Sequence, residues 1–290
     1  MIKTVEHTFE KYLQWLAPTS AEIASRNKHK GSVHGCMENR WGCIRFVEIG
    51  SVGNGTGIRN HSDTDNLMVA PTKRLPVNSS IALSQTREAL QRTFTATESI
   101  VVNTPAVRIP FSGYASEVIE VVPAVFDTVR QTLRGSFAQY IIPSPSGEWM
   151  EASPDAHNTY VKQVDAEHGG QVKRLIQLVK AWKYTQQVPI SSFYLELRVT
   201  KYCEGKSNVS FTRDLRNIFK QLSDGDLADM RDPMGISGMV AACTSISKKE
   251  AALSKIDTAA SRSDRALRAT TAKKAHELWD LLFKYSLPAL

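Results

Sequence analysis

The chain has 290 residues, a formal net charge of +7, 42% hydrophobic and 22% charged residues, the balance of an ordinary globular protein with room for one large domain or two modest ones. No run of eighteen apolar residues occurs, which excludes an ordinary helical membrane span, and the opening MIKTVEHTFEKYLQWL lacks the apolar core of a secretion signal, so a cytoplasmic location is expected. Cys36, Cys43, Cys203 and Cys243 follow neither a disulfide framework nor a paired zinc pattern, while the basic surplus, most of it after residue 150, suits a polyphosphate or nucleic-acid ligand.

In chain order, Val5, Phe9, Tyr12, Leu13 and Leu16 recur at helical spacing and predict a helix over 5–27. IRFVEI at 44–49 alternates and reads as a strand, and 64–69 reads as a second. A helix is expected over 80–95. The runs AVRIPF and EVIEVV then predict two further strands joined by a turn at Ser112 and Gly113. PSPSGEW, at 143–149, is a turn-rich joint. Beyond it the patterns predict helices at 155–167, 171–185, 191–203 and 210–222 and a long final segment near 248–285. A mixed-sheet half is therefore expected to precede a helical half.

The chemistry gathers in GSVGNGTGIRNHSDTDNLMV, Gly50 to Val69. Asp63 and Asp65 flank Thr64, and residues two apart on a strand project from one face, about 6–7 Å apart. Two carboxylates so placed repel, and a divalent cation removes the conflict; magnesium favours hard oxygen ligands together with substrate phosphates. Upstream, Gly50 lets the backbone approach a phosphate closely and Ser51 adds a hydroxyl donor. A two-metal phosphoryl-transfer site needs a further acid. Glu120 in EVIEVVPAV points the same way as Val118 and Val122, where a carboxylate is costly unless paired or metal-bound; Glu117, at the start of the strand, is the competitor. In QVKRLIQLVKAWKY the apolar face is Val172, Leu175, Ile176, Val179 and Trp182, and Lys180 falls at its border, a place from which a lysine can extend its amine.

The stretches GSVGNGTGIRNHSDTDNLMV, VIEVVPAV, LIQLVKAWKY and SSFYLEL, in that order over roughly residues 45–200, resemble the cGAS/DncV-like nucleotidyltransferases (CD-NTases), and AHELWDLLF is similar to the family's closing helix. Two positions depart from the pattern. Asn66 stands where an aliphatic or aromatic residue is frequent, and Glu120 where aspartate is frequent.

The resemblance implies an α+β fold, a polymerase-β-like nucleotidyltransferase core with a mixed sheet and an α-helical C-terminal lobe. Residues 1–150 would form the catalytic core with its N-terminal helix, and 151–290 a helical lobe closing the nucleotide cleft. Asp63, Asp65 and Glu120 would hold two magnesium ions, with manganese as a possible substitute. The lysine of KAW, Lys180, would contact the donor triphosphate, with Lys183 as a nearby alternative. Ser192 and Phe193 would contact the nucleotide, Phe193 by stacking on its base, and Tyr194 is expected in the helix core. The implied activity joins NTPs into a cyclic di- or trinucleotide second messenger that acts through an effector in bacterial anti-phage signalling. The alternative is a same-fold enzyme that modifies RNA or protein. A monomer is expected, with a regulatory protein or nucleic acid as possible activator.

Overall fold

In the computed structural model, residues 2–61, 63–111, 117–284 and 286–290 are described. The expected turn at Ser112 and Gly113 lies outside them. The chain divides into two compact units: residues 1–17, 160–233 and 238–290 form one, and 18–159 with 234–237 the other. The expected division after residue 150 thus moves to 159. The N-terminal helix, expected in the catalytic half, groups with the helical unit instead, because its apolar stripe packs there.

That helix, α1 (Ile2–Leu16), buries Val5, Phe9, Tyr12, Leu13 and Leu16, the five residues whose spacing predicted it. The ring of Phe9 meets Trp279 and Phe283 edge-on, at 5.4 and 5.8 Å between centroids. The single helix expected over 5–27 is broken at Pro18, which disfavours helical backbone in the residue before it. Thr19 then starts a second helix, α2 (Ser20–Trp41): its hydroxyl accepts from Glu22 N while the Glu22 carboxylate accepts from Thr19 N, a reciprocal cap. Gly42, with φ +63°, ends α2.

The sheet unit is built from β1 (Arg45–Glu48), the one-turn helix α3 (Gly50–Gly53), β2 (Thr64–Val69), α4 (Ser79–Thr93), β3 (Val101–Asn103), β4 (Ala106–Pro110), β5 (Val118–Thr132), β6 (Gly135–Pro143) and β7 (Trp149–Ala152). The path through the sheet is β1-β2-β5-β4-β3, with β6 paired to β5 and β7 to β6. Among the described strands of this sheet, β2 and β5 run parallel and the other pairs are antiparallel. One face, carrying Met68, Ala70, Val107, Ile109, Ile119 and Val121, packs on Val33, Met37 and Trp41 of α2 and on Leu83 and Leu90 of α4. The other buries Leu67, Val69, Ala106, Val122, Ala124 and Tyr140. The strand expected at 117–122 continues to Thr132, and the β6–β7 pair was not foreseen, because its exposed positions blur the alternation of apolar residues.

The division between units falls within α5 (Pro154–Glu167). The helical unit continues with α6 (Gln171–Thr185), α7 (Ser192–Cys203), α8 (Phe211–Asp224), the short pair β8 (Met230–Arg231) and β9 (Met239–Val240), α9 (Ile246–Leu267) and α10 (Ala272–Asp280). The long final segment is therefore two helices, the second capped by Thr271, whose hydroxyl accepts from Lys274 N. No described helix is long and apolar enough to cross a membrane, and the four cysteines are free thiols.

Candidate active site

In the sheet unit the strand register arranges the acidic residues. Asp65 of β2 is the parallel partner of Glu120 of β5, and Glu120 is the antiparallel partner of Arg108 of β4. Directly paired residues share a face of a sheet, so Asp65, Glu120 and Arg108 form one row across three strands. Asp63 stands one residue before β2, where its carboxyl neighbours Arg108 and feels the Glu120 charge. The row lies on the face that carries Val122 and Ala106.

Each acid has its own neighbour. Asp65 lies against Gly50: a Cβ built on Gly50 would sit 2.0 Å from the Asp65 Oδ2 atom, and the backbone there has φ +59°. The glycine of the Gly-Ser pair is required for both reasons. Glu120 accepts a hydrogen bond from the Asn103 side-chain amide, 3.3 Å away, at the end of β3. The Arg108 Nε atom lies 3.8 Å from Asp63 Oδ2. The Asp63 carboxyl is pushed up to about 6, by burial first and by the Glu120 charge second, against the opposing pull of Arg108. Glu117 is engaged elsewhere, 3.5 Å from the His29 imidazole of α2.

The donor set suits a hard divalent cation: three carboxylates with an excess of negative charge on a half-buried face. The acids are spread along the row, however, and among the described residues no three His, Cys, Asp or Glu side chains are gathered closely enough to hold a metal ion. Asp65 is drawn to the Gly50 side and Asp63 to the Arg108 side, so grasping one ion requires a side-chain turn.

Asn66, the first departure from the family pattern, is fully buried on the reverse face. Its amide nitrogen donates to the Thr64 carbonyl at 2.9 Å and to the Glu120 carbonyl at 3.4 Å, linking the strand of the two aspartates to the strand of the third acid. Its Oδ1 atom is buried without a hydrogen-bond partner among the described residues. That cost is absent from an aliphatic side chain.

The helical unit corrects one expectation. Lys180 is not a border lysine reaching outward: it is fully buried, and its Nζ donates to Glu196 Oε1 of α7 at 2.7 Å. A helical wheel places Lys180 at the edge of one apolar face, but α6 is covered by α1, α7 and α8, so little of its circumference is left open. Lys183, one turn on, is half-buried and donates to the Ser192 hydroxyl, with its Nζ 4.6 Å from the centre of the Tyr184 ring. Its amine is pushed down to about 8 by burial first and the Lys180 charge next, against the pull of Glu196.

The two serines divide their roles. Ser191 caps α7 by accepting from Tyr194 N, which frees Ser192 to meet Lys183. Phe193 is 41% exposed at the start of α7. Tyr194 is buried, as expected of a core residue, and donates to the Ala228 carbonyl at 2.7 Å. His157 is buried at the start of α5. Arg108 and Asn103 were missed. The signal for Arg108 was present as the one charge inside AVRIPF, but alternation along β4 cannot reveal which strand lies beside it.

Gly50→Ala tests the close approach to Asp65. It is expected to lower stability by about 1–2 kcal/mol through the left-handed backbone and to displace the Asp65 carboxylate, and thermal melts measure the loss.

No family model matches the chain. A probable cyclic nucleotide synthase of Bacillus cereus (strain VD146) is 31% identical over 122 residues, which are 42% of this chain and 36% of that protein. The chain thus spans about a third of the length of this curated relative. Among solved structures, E. coli MS115-1 CdnC with ATP superposes with a TM-score of 0.75 at 18% identity, over 98% of this chain and 99% of that one. Vibrio cholerae DncV cyclic AMP-GMP synthase, bound to the linear intermediate 5′ pppA(3′,5′)pG, matches with a TM-score of 0.66 at 14% identity, over 84% of this chain and 69% of that one. The chain shares the mixed α/β fold of CdnC and DncV.

Proposed function

We propose that the chain is a nucleotidyltransferase that joins NTPs into a cyclic di- or trinucleotide and releases pyrophosphate. The observation that carries this reading is the acidic row, with Asp65 pressed against Gly50 and registered beside Glu120, on a fold shared with CdnC and DncV. Asp63, Asp65 and Glu120 would hold magnesium or manganese, which when bound offsets phosphate charge and acidifies the attacking hydroxyl.

The chain's own residues orient and neutralise. Gly50 keeps the backbone close enough to Asp65 for a phosphate to lie along the Gly-Ser turn, and Ser51 donates to it. An acceptor ribose hydroxyl forms the new bond to the donor α-phosphorus. The bond from that phosphorus to the bridging oxygen breaks, and pyrophosphate leaves with the electron pair. The hydroxyl proton passes to the acidic row or through it to water. A second transfer of the same kind within the linear product closes the ring. Within the helical unit, Lys183 and Ser192 are taken by resemblance as nucleotide contacts, with Phe193 as a platform for a base. By resemblance, the product switches on an effector in bacterial defence against phage, and a regulatory protein or nucleic acid controls the enzyme.

The test is incubation with all four labelled NTPs and cellular RNA and protein, with and without magnesium, followed by mass spectrometry and nuclease digestion. Nuclease-resistant rings, with pyrophosphate in proportion, are the expected result. Label recovered only on RNA or protein would overturn the reading in favour of macromolecular modification.

A further inference from the structure

Arg108 raises a question that the three acids alone do not. It stands on β4 as the antiparallel partner of Glu120, so its side chain rises from the face that carries the row, and its Nε lies 3.8 Å from Asp63 Oδ2. A central strand holds its backbone, since β4 is paired on both sides, to β5 and to β3. The charge is therefore delivered to the row by rigid structure. Arginine keeps that charge at any physiological pH. It cannot yield to an incoming cation by losing a proton and must move. About a third of each partner's side chain is exposed, 36% for Arg108 and 32% for Asp63, which leaves room for that motion.

The consequences follow from the spread of the row. Asp65 is held at Gly50 and Glu120 is tied to Asn103, while Asp63 is held beside Arg108. The guanidinium charge 3.8 Å from Asp63 Oδ2 competes electrostatically with an incoming cation for that carboxylate. We propose that Arg108 is the resident counter-charge of the acidic row: it pairs with Asp63 while no cation is bound, surrenders that carboxylate when a divalent cation enters, and so sets the cation concentration at which the site fills. Arg108 is a positioning residue in this scheme, acting through Asp63. The inference rests on the cation-binding reading of the row given above.

The experiment uses the full chain without nucleotide. Thermal melts and calorimetric titrations with manganese, and with magnesium, compare wild type, Arg108→Gln and Arg108→Lys. Arg108→Gln keeps a polar side chain of similar reach and removes the charge. It is expected to melt lower than wild type in chelator, because the acids lose their counter-charge, and to bind manganese about tenfold more tightly, the scale of one unit charge a few ångströms away on a half-exposed surface. Arg108→Lys keeps the charge and is expected to stay within about twofold of the wild-type affinity. In an Asp63→Asn background the effect of Arg108→Gln on manganese affinity should shrink to the through-space repulsion that remains; this cycle also gives a folded comparison if Arg108→Gln alone does not fold. Manganese affinity that is unchanged or weaker in Arg108→Gln, with wild type binding normally, would overturn the counter-charge role and leave the cation site standing. Wild type that binds neither cation would overturn both.

Discussion

The double variant Asp63→Asn with Asp65→Asn is expected to abolish product, with a loss of more than about a thousandfold, while the cation-free protein becomes more stable rather than less. Both outcomes follow from the same row. Removing the two carboxylates removes the groups proposed to bind the cation, so magnesium should no longer raise the melting temperature. The stability gain comes chiefly from Asp63. Its folded-state value, about 6, lies above the ordinary 3.8 of an aspartate because burial and Glu120 disfavour its charge. A carboxyl raised in this way contributes its stabilisation in full below about pH 4 and loses it as the pH rises through 6; above 6 the fold carries an ionised, crowded carboxylate. A displacement of this size corresponds to at most about 3 kcal/mol. With 32% of the side chain exposed, solvent screening lowers that to about 1 kcal/mol. In chelator at pH 7.5 the single variant Asp63→Asn should therefore melt above wild type, and the gap should close by pH 4. Near-wild-type turnover in the double variant would remove the row from the chemistry.

Lys180→Ala and Lys183→Ala are expected to fail in different ways. Lys180 is buried against Glu196, whose side chain is only 8% exposed, so truncation strands a carboxylate in the interior. The expected cost is about 3–5 kcal/mol of stability, recovered in large part by adding Glu196→Gln. Lys183→Ala should raise the melt slightly near pH 7, because it removes a charge that burial disfavours, and should weaken triphosphate binding about tenfold, the loss of one charge-assisted contact. Because the Lys183 amine is depressed to about 8, wild-type nucleotide affinity should fall as the pH rises from 7 to 9, and Lys183→Ala should flatten that profile. The stability sign is opposite. The fold favours the neutral amine, so between about 8 and 10.5 the folded chain binds fewer protons than the unfolded chain, and stability rises with pH. Calorimetric nucleotide titrations at several pH values, beside thermal melts, separate the two lysines. A Lys180→Ala protein of normal stability and poor nucleotide affinity would return the triphosphate contact to Lys180.

What could be read along one element was legible in the sequence. The spacing of Val5, Phe9, Tyr12, Leu13 and Leu16 identified a buried stripe, and alternation along β5 put Glu120 on the side of Val122. These properties follow from the 3.6- and two-residue periods of single helices and strands, which every residue reports locally. What depends on the neighbour across an interface was decided only by tertiary structure. No pattern within β4 says that Arg108 lies opposite Glu120, since a register is set between strands. No wheel of α6 distinguishes a lysine at a free edge from one covered by α7 with Glu196 waiting for it. The N-terminal stripe could be recognised, but α6, α8 and α10 as its partners, 150 or more residues away in the chain, could not. Burial of an apolar face is a local requirement, and which surface satisfies it is settled by contacts between distant segments that a linear pattern does not encode.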